Sequence, residues 1–145
     1  MRNVLFLCTG NSARSILGEV LMNDLGRGSF RAYSAGSNPT GQVNLGAIEK
    51  LERAGHSTVG LASKSWDVFS GDDAPAFDLV VTVCDNAAGE TCPVWNGSPV
   101  TLHWGLPDPA AFDDEDERRK AFDEVYDALR GRITRYLQSS GELSV

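Results

Sequence analysis

The feature that most restricts this chain is a short apolar run, Asn3 to Leu7, with no polar–apolar alternation. It stops at Cys8 and gives way to a loop containing Gly10 and Asn11. A short unalternating run suits a strand buried on both faces, as in a parallel sheet. Ile16, Leu17, Val20, Leu21 and Leu25 then recur on one helical face, which predicts a helix from about Ala13 to Leu25, stopped by Gly26 and Gly28. The chain therefore opens with a buried strand, a loop and a helix.

The alternation continues. Phe30 to Ser34 reads as a second strand, ended by Ala35 and Gly36. Val43 to Ala54 reads as a second helix with Leu45, Ile48 and Leu51 inward and Gly55 as its stop. Ser65 to Phe69 is a possible short third helix, and Asp78 to Val83 is the clearest strand. A polar loop from Cys84 to Gly97 precedes a fourth strand at Val100 to His103. Phe112 to Leu137 is dominated by a long amphipathic helix carrying Phe122, Val125, Tyr126, Leu129, Ile133 and Tyr136 inward. The expected architecture is an α/β, three-layer, doubly wound fold: a four-stranded parallel sheet flanked by helices. One domain is expected over residues 1–138, with residues 139–145 as a flexible C-terminal tail.

Composition narrows the partners. No apolar run reaches the roughly 20 residues that span a bilayer, and the first run is too short for a secretory signal. A cytoplasmic protein is expected. The three cysteines, an odd and low count, are not a disulfide scaffold. The net charge of −7 should repel nucleic acid and anionic lipid. A small oxyanion would also be repelled at long range, so it needs a strong local positive field. Salt screening beyond about 8 Å lets such a local field prevail.

Ligands of doubly wound sheets bind outside the carboxyl ends of the strands. Cys8 and Cys84 each follow a strand, so both belong to that edge. A cysteine attacks only as the thiolate, a form favoured by helix N-termini and nearby cations. The loop Cys8-Thr-Gly-Asn-Ser-Ala-Arg14-Ser15 has both within reach. Arg14 brings a planar donor fork and Ser15 a hydroxyl for the sulfur. Gly10 and Asn11 tolerate unusual backbone angles, so successive amides can converge as an anion nest. An isolated cysteine at a strand end is usually plain packing. The arginine spacing, the glycine and asparagine, and the strand–helix context together point to a nucleophile beneath a bound oxyanion.

Cys8-x5-Arg14-Ser15 after an N-terminal strand resembles the low-molecular-weight protein tyrosine phosphatase superfamily. The loop is most similar to that of its bacterial arsenate reductase branch. Further blocks agree in order: Tyr33-Ser-Ala-Gly36, Ser63-Lys-Ser-Trp66, Val83-Cys-Asp-Asn-Ala87, Thr91-Cys-Pro-Val94, His103-Trp-Gly105 and Asp108-Pro109. The resemblance implies the low-molecular-weight phosphatase fold and a relay in which Cys8 attacks arsenate, Cys84 attacks Cys8 and releases arsenite, and Cys92 moves the disulfide outward. It implies that Arg14 and the backbone of Thr9, Gly10, Asn11, Ser12, Ala13, Arg14 and Ser15 hold the oxyanion and that Asp108 is the general acid. It implies no tightly bound cofactor, only an external thiol reductant: a thioredoxin, glutaredoxin/glutathione or mycothiol system. A monomer is expected.

Electron counting supports this reading. Arsenic(V) needs two electrons to become arsenic(III), and a dithiol that becomes a disulfide supplies two. A phosphatase needs only the first cysteine. The stretch between Cys84 and Cys92 is small and polar, as a moving relay requires. Ala110 and Ala111 stand where the phosphatase branch usually places aromatic residues. In some reductases the central cysteine pair is one residue closer, which leaves the reductant open.

Blander readings remain beside these. Cys84 closes an apolar strand and could be packing; Cys92 could be incidental; Asp108-Pro109 could be a simple turn. The Cys-x7-Cys spacing is too wide for a zinc knuckle, and no metal is assigned. Some family members use potassium near the loop, with Asn11, Glu19, Ser34 and Asp67 at those positions by motif. Glu19 and Asp67 read more simply as helix-surface carboxylates or loop hydrogen-bond partners. The acidic run Asp113–Glu117 suits a helix N-terminus. Trp66, Trp95 and Trp104 read as packing, and neither His56 nor His103 has a clear catalytic partner. Two other functions compete: hydrolysis of phosphate monoesters, and non-enzymatic oxyanion or redox sensing.

Overall fold

The computed structural model describes residues 1–84 and 95–139. Its elements run β1 (Arg2–Leu7), α1 (Arg14–Leu25), β2 (Phe30–Ala35), α2 (Leu45–Arg53), a 3-10 turn (Trp66–Phe69), β3 (Phe77–Thr82), β4 (Gly97–His103), a second 3-10 turn (Pro109–Ala111) and α3 (Glu115–Ser139). The four strands form one sheet in the order β2-β1-β3-β4, and every pairing is parallel. All four carboxyl ends therefore lie on one edge.

Strand β1 explains its own lack of alternation. It is hydrogen-bonded on both sides, and Val4, Leu5 and Phe6 are fully buried. Val4 and Phe6 face a large core made with α1, α2 and α3. Leu5 and Leu7 face a smaller aromatic cluster of Phe69, Phe77, Tyr33, Trp66 and Trp95. Among the described residues, the three α-helices gather on the first face, and the 3-10 turn with Trp95 covers the second.

Helix α1 rides close on β1 because Gly18 has no side chain. A Cβ at that position would lie 2.6 Å from Cδ1 of Phe6. The chain's positive φ residues include Asn11, at 45°, in the loop that joins these two elements.

Three expectations need correction. Leu45 does not point inward: it is 71% exposed, whereas Ala47 and Leu51 are buried. It is the first residue of α2 after the N-cap Asn44, whose side chain accepts from Gly46 N. At 3.6 residues per turn, Leu45 stands roughly 120° around from Leu51, which puts it off the buried face. The long helix starts at Glu115, not Phe112. Asp114 accepts from Glu117 N at 2.9 Å and so caps it, with Glu115, Asp116 and Glu117 in the first turn. His56 lies in a loop, and its ring joins Asp24 and, at 2.6 Å, the Tyr126 hydroxyl, which ties the ends of α1 and α2 to α3. The other histidine, His103, meets Thr82 Oγ1 at 2.7 Å. Helix α3 runs through Ser139, the first residue assigned to the tail, and residues 140–145 lie outside the described residues. Among the described residues, no helix is long and apolar enough to cross a membrane.

The Gly18–Phe6 contact is testable. Gly18→Ala would force a methyl group into Phe6, so urea denaturation should show a loss of about 1–3 kcal/mol. An unchanged midpoint would mean that α1 can lift from β1 without cost.

Candidate active site

Two cysteines leave the sheet side by side. β1 and β3 are adjacent, and Val83 N donates to Leu7 O at 2.9 Å just beyond their last paired residues. Cys8 and Cys84 follow, both buried and both free thiols. Cys8, Thr9, Gly10, Ser12, Ala13, Arg14, Cys84 and Asp108 line one cavity of about 280 Å³, together with Thr40 and Ala110. Arg14 is the cation among these residues and Asp108 the carboxylate.

The loop from Cys8 to Arg14 runs into the N-terminus of a helix. Helix α1 begins at Arg14 with no side-chain cap and no acidic residue in its first turn. Its first amides therefore have no side-chain cap, and the helix dipole there favours negative charge. Asn11 adopts a left-handed φ of 45° and turns the loop over. Gly36, at the end of β2, lets this backbone settle. A Cβ on Gly36 would lie 2.4 Å from Thr9 O and 2.5 Å from Cys8 O.

A hydrogen-bond chain reaches the Cys8 sulfur from behind. Lys64 N donates to Asn11 Oδ1 at 2.8 Å, which fixes the amide so that Nδ2 donates to Ser15 Oγ at 2.9 Å. Ser15 Oγ in turn lies 2.9 Å from Cys8 Sγ, with a hydroxyl proton to offer a thiolate there. Asn11 and Ser15 are fully buried and brace the loop from within. They were expected to hold the oxyanion through their backbone, and their side chains bond to each other and, through Ser15, to Cys8 inside the protein.

Arg14 and Asp108 come from different elements. Arg14 is half-buried and donates through Nη1 to Leu106 O at 2.9 Å. Asp108 caps the second 3-10 turn: its Oδ1 accepts from Ala110 N at 3.0 Å. The expected turn at Asp108-Pro109 is therefore present, and Asp108 also lines the cavity. Thr9 Oγ1, on the residue after Cys8, lies 3.7 Å from Cys84 Sγ. Cys92 lies outside the described residues.

Behind the loop, Glu19 is not a surface carboxylate. It accepts from Ser34 Oγ at 2.5 Å and stands 3.9 Å from Lys64 Nζ. Burial pushes its carboxyl above the ordinary value, and the Ser34 hydroxyl and Lys64 charge pull it back. Burial likewise pushes the Lys64 ammonium down, opposed by Glu19. Of the positions considered for potassium, Glu19 and Ser34 therefore bond to each other, beside a lysine. Asn11 is engaged by Lys64 N and Ser15, and Asp67 N is bonded to Ser65 Oγ. Among the described residues, no group of three His, Cys, Asp or Glu side chains is placed to hold a metal ion.

Sequence reading missed Thr40, Ser63 and Leu106. Thr40 had no signal beyond a turn-like Asn38-Pro-Thr-Gly41 stretch. Ser63 stood in a quoted block but carried no role. Leu106 acts through its carbonyl, which no residue identity reveals.

The profile of the family described as low molecular weight phosphotyrosine protein phosphatase matches residues 3–143. An arsenate reductase of Bacillus licheniformis is 32% identical over 139 residues, covering 95% of this chain and 96% of that one. A solved structure described as an arsenate reductase in the phosphate binding state superposes with a TM-score of 0.71 at 27% identity, over 93% of this chain and 98% of that one. A thioredoxin-dependent arsenate reductase of Corynebacterium glutamicum superposes with a TM-score of 0.70 at 26% identity, over 96% of this chain but 61% of that longer one.

Two outcomes follow from the site's geometry. Ser15→Ala removes the hydroxyl that faces the sulfur, so iodoacetamide should alkylate Cys8 roughly tenfold more slowly at neutral pH. Mass-resolved labelling at the native rate would dismiss the Ser15 contact. For Glu19, the raised folded value means the native protein keeps a proton that the unfolded chain gives up. Stability is then lost as pH rises from 4.5 through that raised value. In Glu19→Gln, urea midpoints should vary less with pH from 4.5 upward than in the native protein. An identical pH slope in the two would show that Glu19 ionises alike folded and unfolded.

Proposed function

Because the chain belongs to the low molecular weight phosphotyrosine protein phosphatase family, we propose a reaction that begins as in a phosphatase and ends as a reduction: arsenate to arsenite. The observation that carries it is the second thiol. Cys84 lines the same cavity as Cys8, from the neighbouring strand, and hydrolysis has no use for it. The likeness to arsenate reductases across nearly the whole chain supports the same reading.

The steps balance. Arsenate enters between Arg14 and the amides of the loop, where its oxygens meet donors that need no reorganisation. The Cys8 thiolate attacks arsenic(V). Asp108 protonates the departing oxygen, which leaves as water. Cys84 then attacks Cys8 Sγ. The sulfur–arsenic bond breaks, its electron pair stays on arsenic, and arsenite leaves. Two thiols have become one disulfide, the two electrons that arsenic needs. Cys92 attacks Cys84, transfers the disulfide to Cys84–Cys92 and regenerates the Cys8 thiolate.

An external thiol reductant closes the cycle. A thioredoxin-type donor is favoured by the Corynebacterium glutamicum neighbour, with glutaredoxin/glutathione and mycothiol systems as the other thiol chemistries. The reaction is placed in a reducing cytoplasm, where its thiols start reduced, and is carried out by a monomer. Cys8, Arg14 and Asp108 alone would also cleave an aryl phosphate. That second reading is favoured by the same cavity but leaves Cys84 idle.

The deciding measurement is arsenate-dependent NADPH consumption with thioredoxin and thioredoxin reductase, repeated with the glutathione and mycothiol systems. Consumption should be steady with one donor and fall to background in Cys84→Ser. Hydrolysis of p-nitrophenyl phosphate should survive that substitution. Multiple turnover of arsenate by Cys84→Ser would remove the relay. No consumption with any donor, beside brisk hydrolysis, would make the protein a phosphatase.

A further inference from the structure

An amide can point inward only if the carbonyl of its own peptide unit points outward, because the two are antiparallel across a planar bond. Three carbonyls of the anion loop are captured from outside by one neighbouring segment. Asn38 N donates to Thr9 O at 2.9 Å, Thr40 N to Gly10 O at 3.1 Å, and Asn44 N to Ser12 O at 2.8 Å. Each capture turns the next residue's N–H, that of Gly10, Asn11 or Ala13, the opposite way, and Gly10 and Ala13 line the cavity. These three contacts are all made by backbone and are blind to side-chain identity.

A fourth is not. Ser63 Oγ donates to Gly10 O at 3.0 Å and accepts from Gly41 N at 3.2 Å. One hydroxyl thus holds the outward carbonyl and the segment that captures its neighbours. Ser63 is itself held in place: the next residue, Lys64, accepts from Gly36 N at 3.0 Å and donates its own amide to Asn11 Oδ1. Ser63 lines no part of the cavity that contains Cys8, so it would touch no bound anion.

We propose that Ser63 is a positioning residue for the oxyanion site: its hydroxyl fixes the Gly10 peptide unit and so the shape of the loop that meets the bound anion. The inference concerns anion binding by the loop and stands apart from whether the anion is later reduced. Its effect is on affinity more than on sulfur chemistry, because the Ser15 contact to Cys8 reaches the sulfur by a separate route.

The test uses inorganic phosphate, whose binding needs no reductant and no turnover. Ser63→Ala should weaken phosphate about fivefold by isothermal titration calorimetry, the effect of one misplaced neutral hydrogen bond. Ser63→Thr, which keeps the hydroxyl, should restore most of the affinity. Cys8 alkylation without phosphate should proceed at the native rate in both, and the native rate in Ser63→Ala also certifies that the loop has folded. Native phosphate affinity in Ser63→Ala would overturn the proposal. So would equal weakening in the alanine and threonine variants, or a parallel fall in alkylation, since each would mark Ser63 as a general support of the fold. Failure of arsenate reduction in the native protein would leave these outcomes unaffected.

Discussion

Burial of β1 on both faces governs what the rest of the molecule can do. A strand with no solvent side must be covered by helices above and aromatic rings below, and its neighbours must run parallel to it. Its carboxyl end then opens where the sheet stops and α1 begins. Cys8 is the first residue past that boundary. The nucleophile inherits a rigid platform below it and the amide end of a helix in front. Parallel pairing with β3 brings Cys84 out at the same level, so two thiols share one cavity without any disulfide.

Charge at the site is mostly not carried by side chains. The protein bears −7 overall, yet the cavity that contains Cys8 has Arg14 as its cation. The remaining attraction comes from peptide dipoles: helix α1's uncapped amides and the loop turned at Asn11. Such dipoles neither titrate nor need to be desolvated when the anion arrives. They must be held in place, and the hydrogen bonds from residues 38, 40, 44 and 63 to the loop carbonyls do this.

Much of this was legible in the sequence because it is contiguous. The eight residues from Cys8 to Ser15 hold the sulfur, the arginine, the serine and the turn, and their spacing survives any fold that puts a strand before them and a helix after. Strand and helix positions were also readable from periodicity. What was not legible depends on distant partners. Leu45 looked like a core residue because it is apolar and helical, but the N-cap at Asn44 rotates it outward. Glu19 looked like a surface carboxylate until β2 brought Ser34 against it. His56 meets Asp24 and Tyr126 only after α1, α2 and α3 have packed. Ser63 and Leu106 act on backbone groups far along the chain, a kind of contact that leaves no mark in residue type.

The bond from Arg14 to Leu106 O has a mechanical side. The amide of Leu106 donates to Val83 O at 3.1 Å, one residue before Cys84. A single residue is therefore strung between the arginine that lines the cavity and the strand end that leads to Cys84. In lever terms, Leu106 is the fulcrum. A displacement of Cys84 large enough to strip Leu106 from Val83 would slacken Arg14 as well.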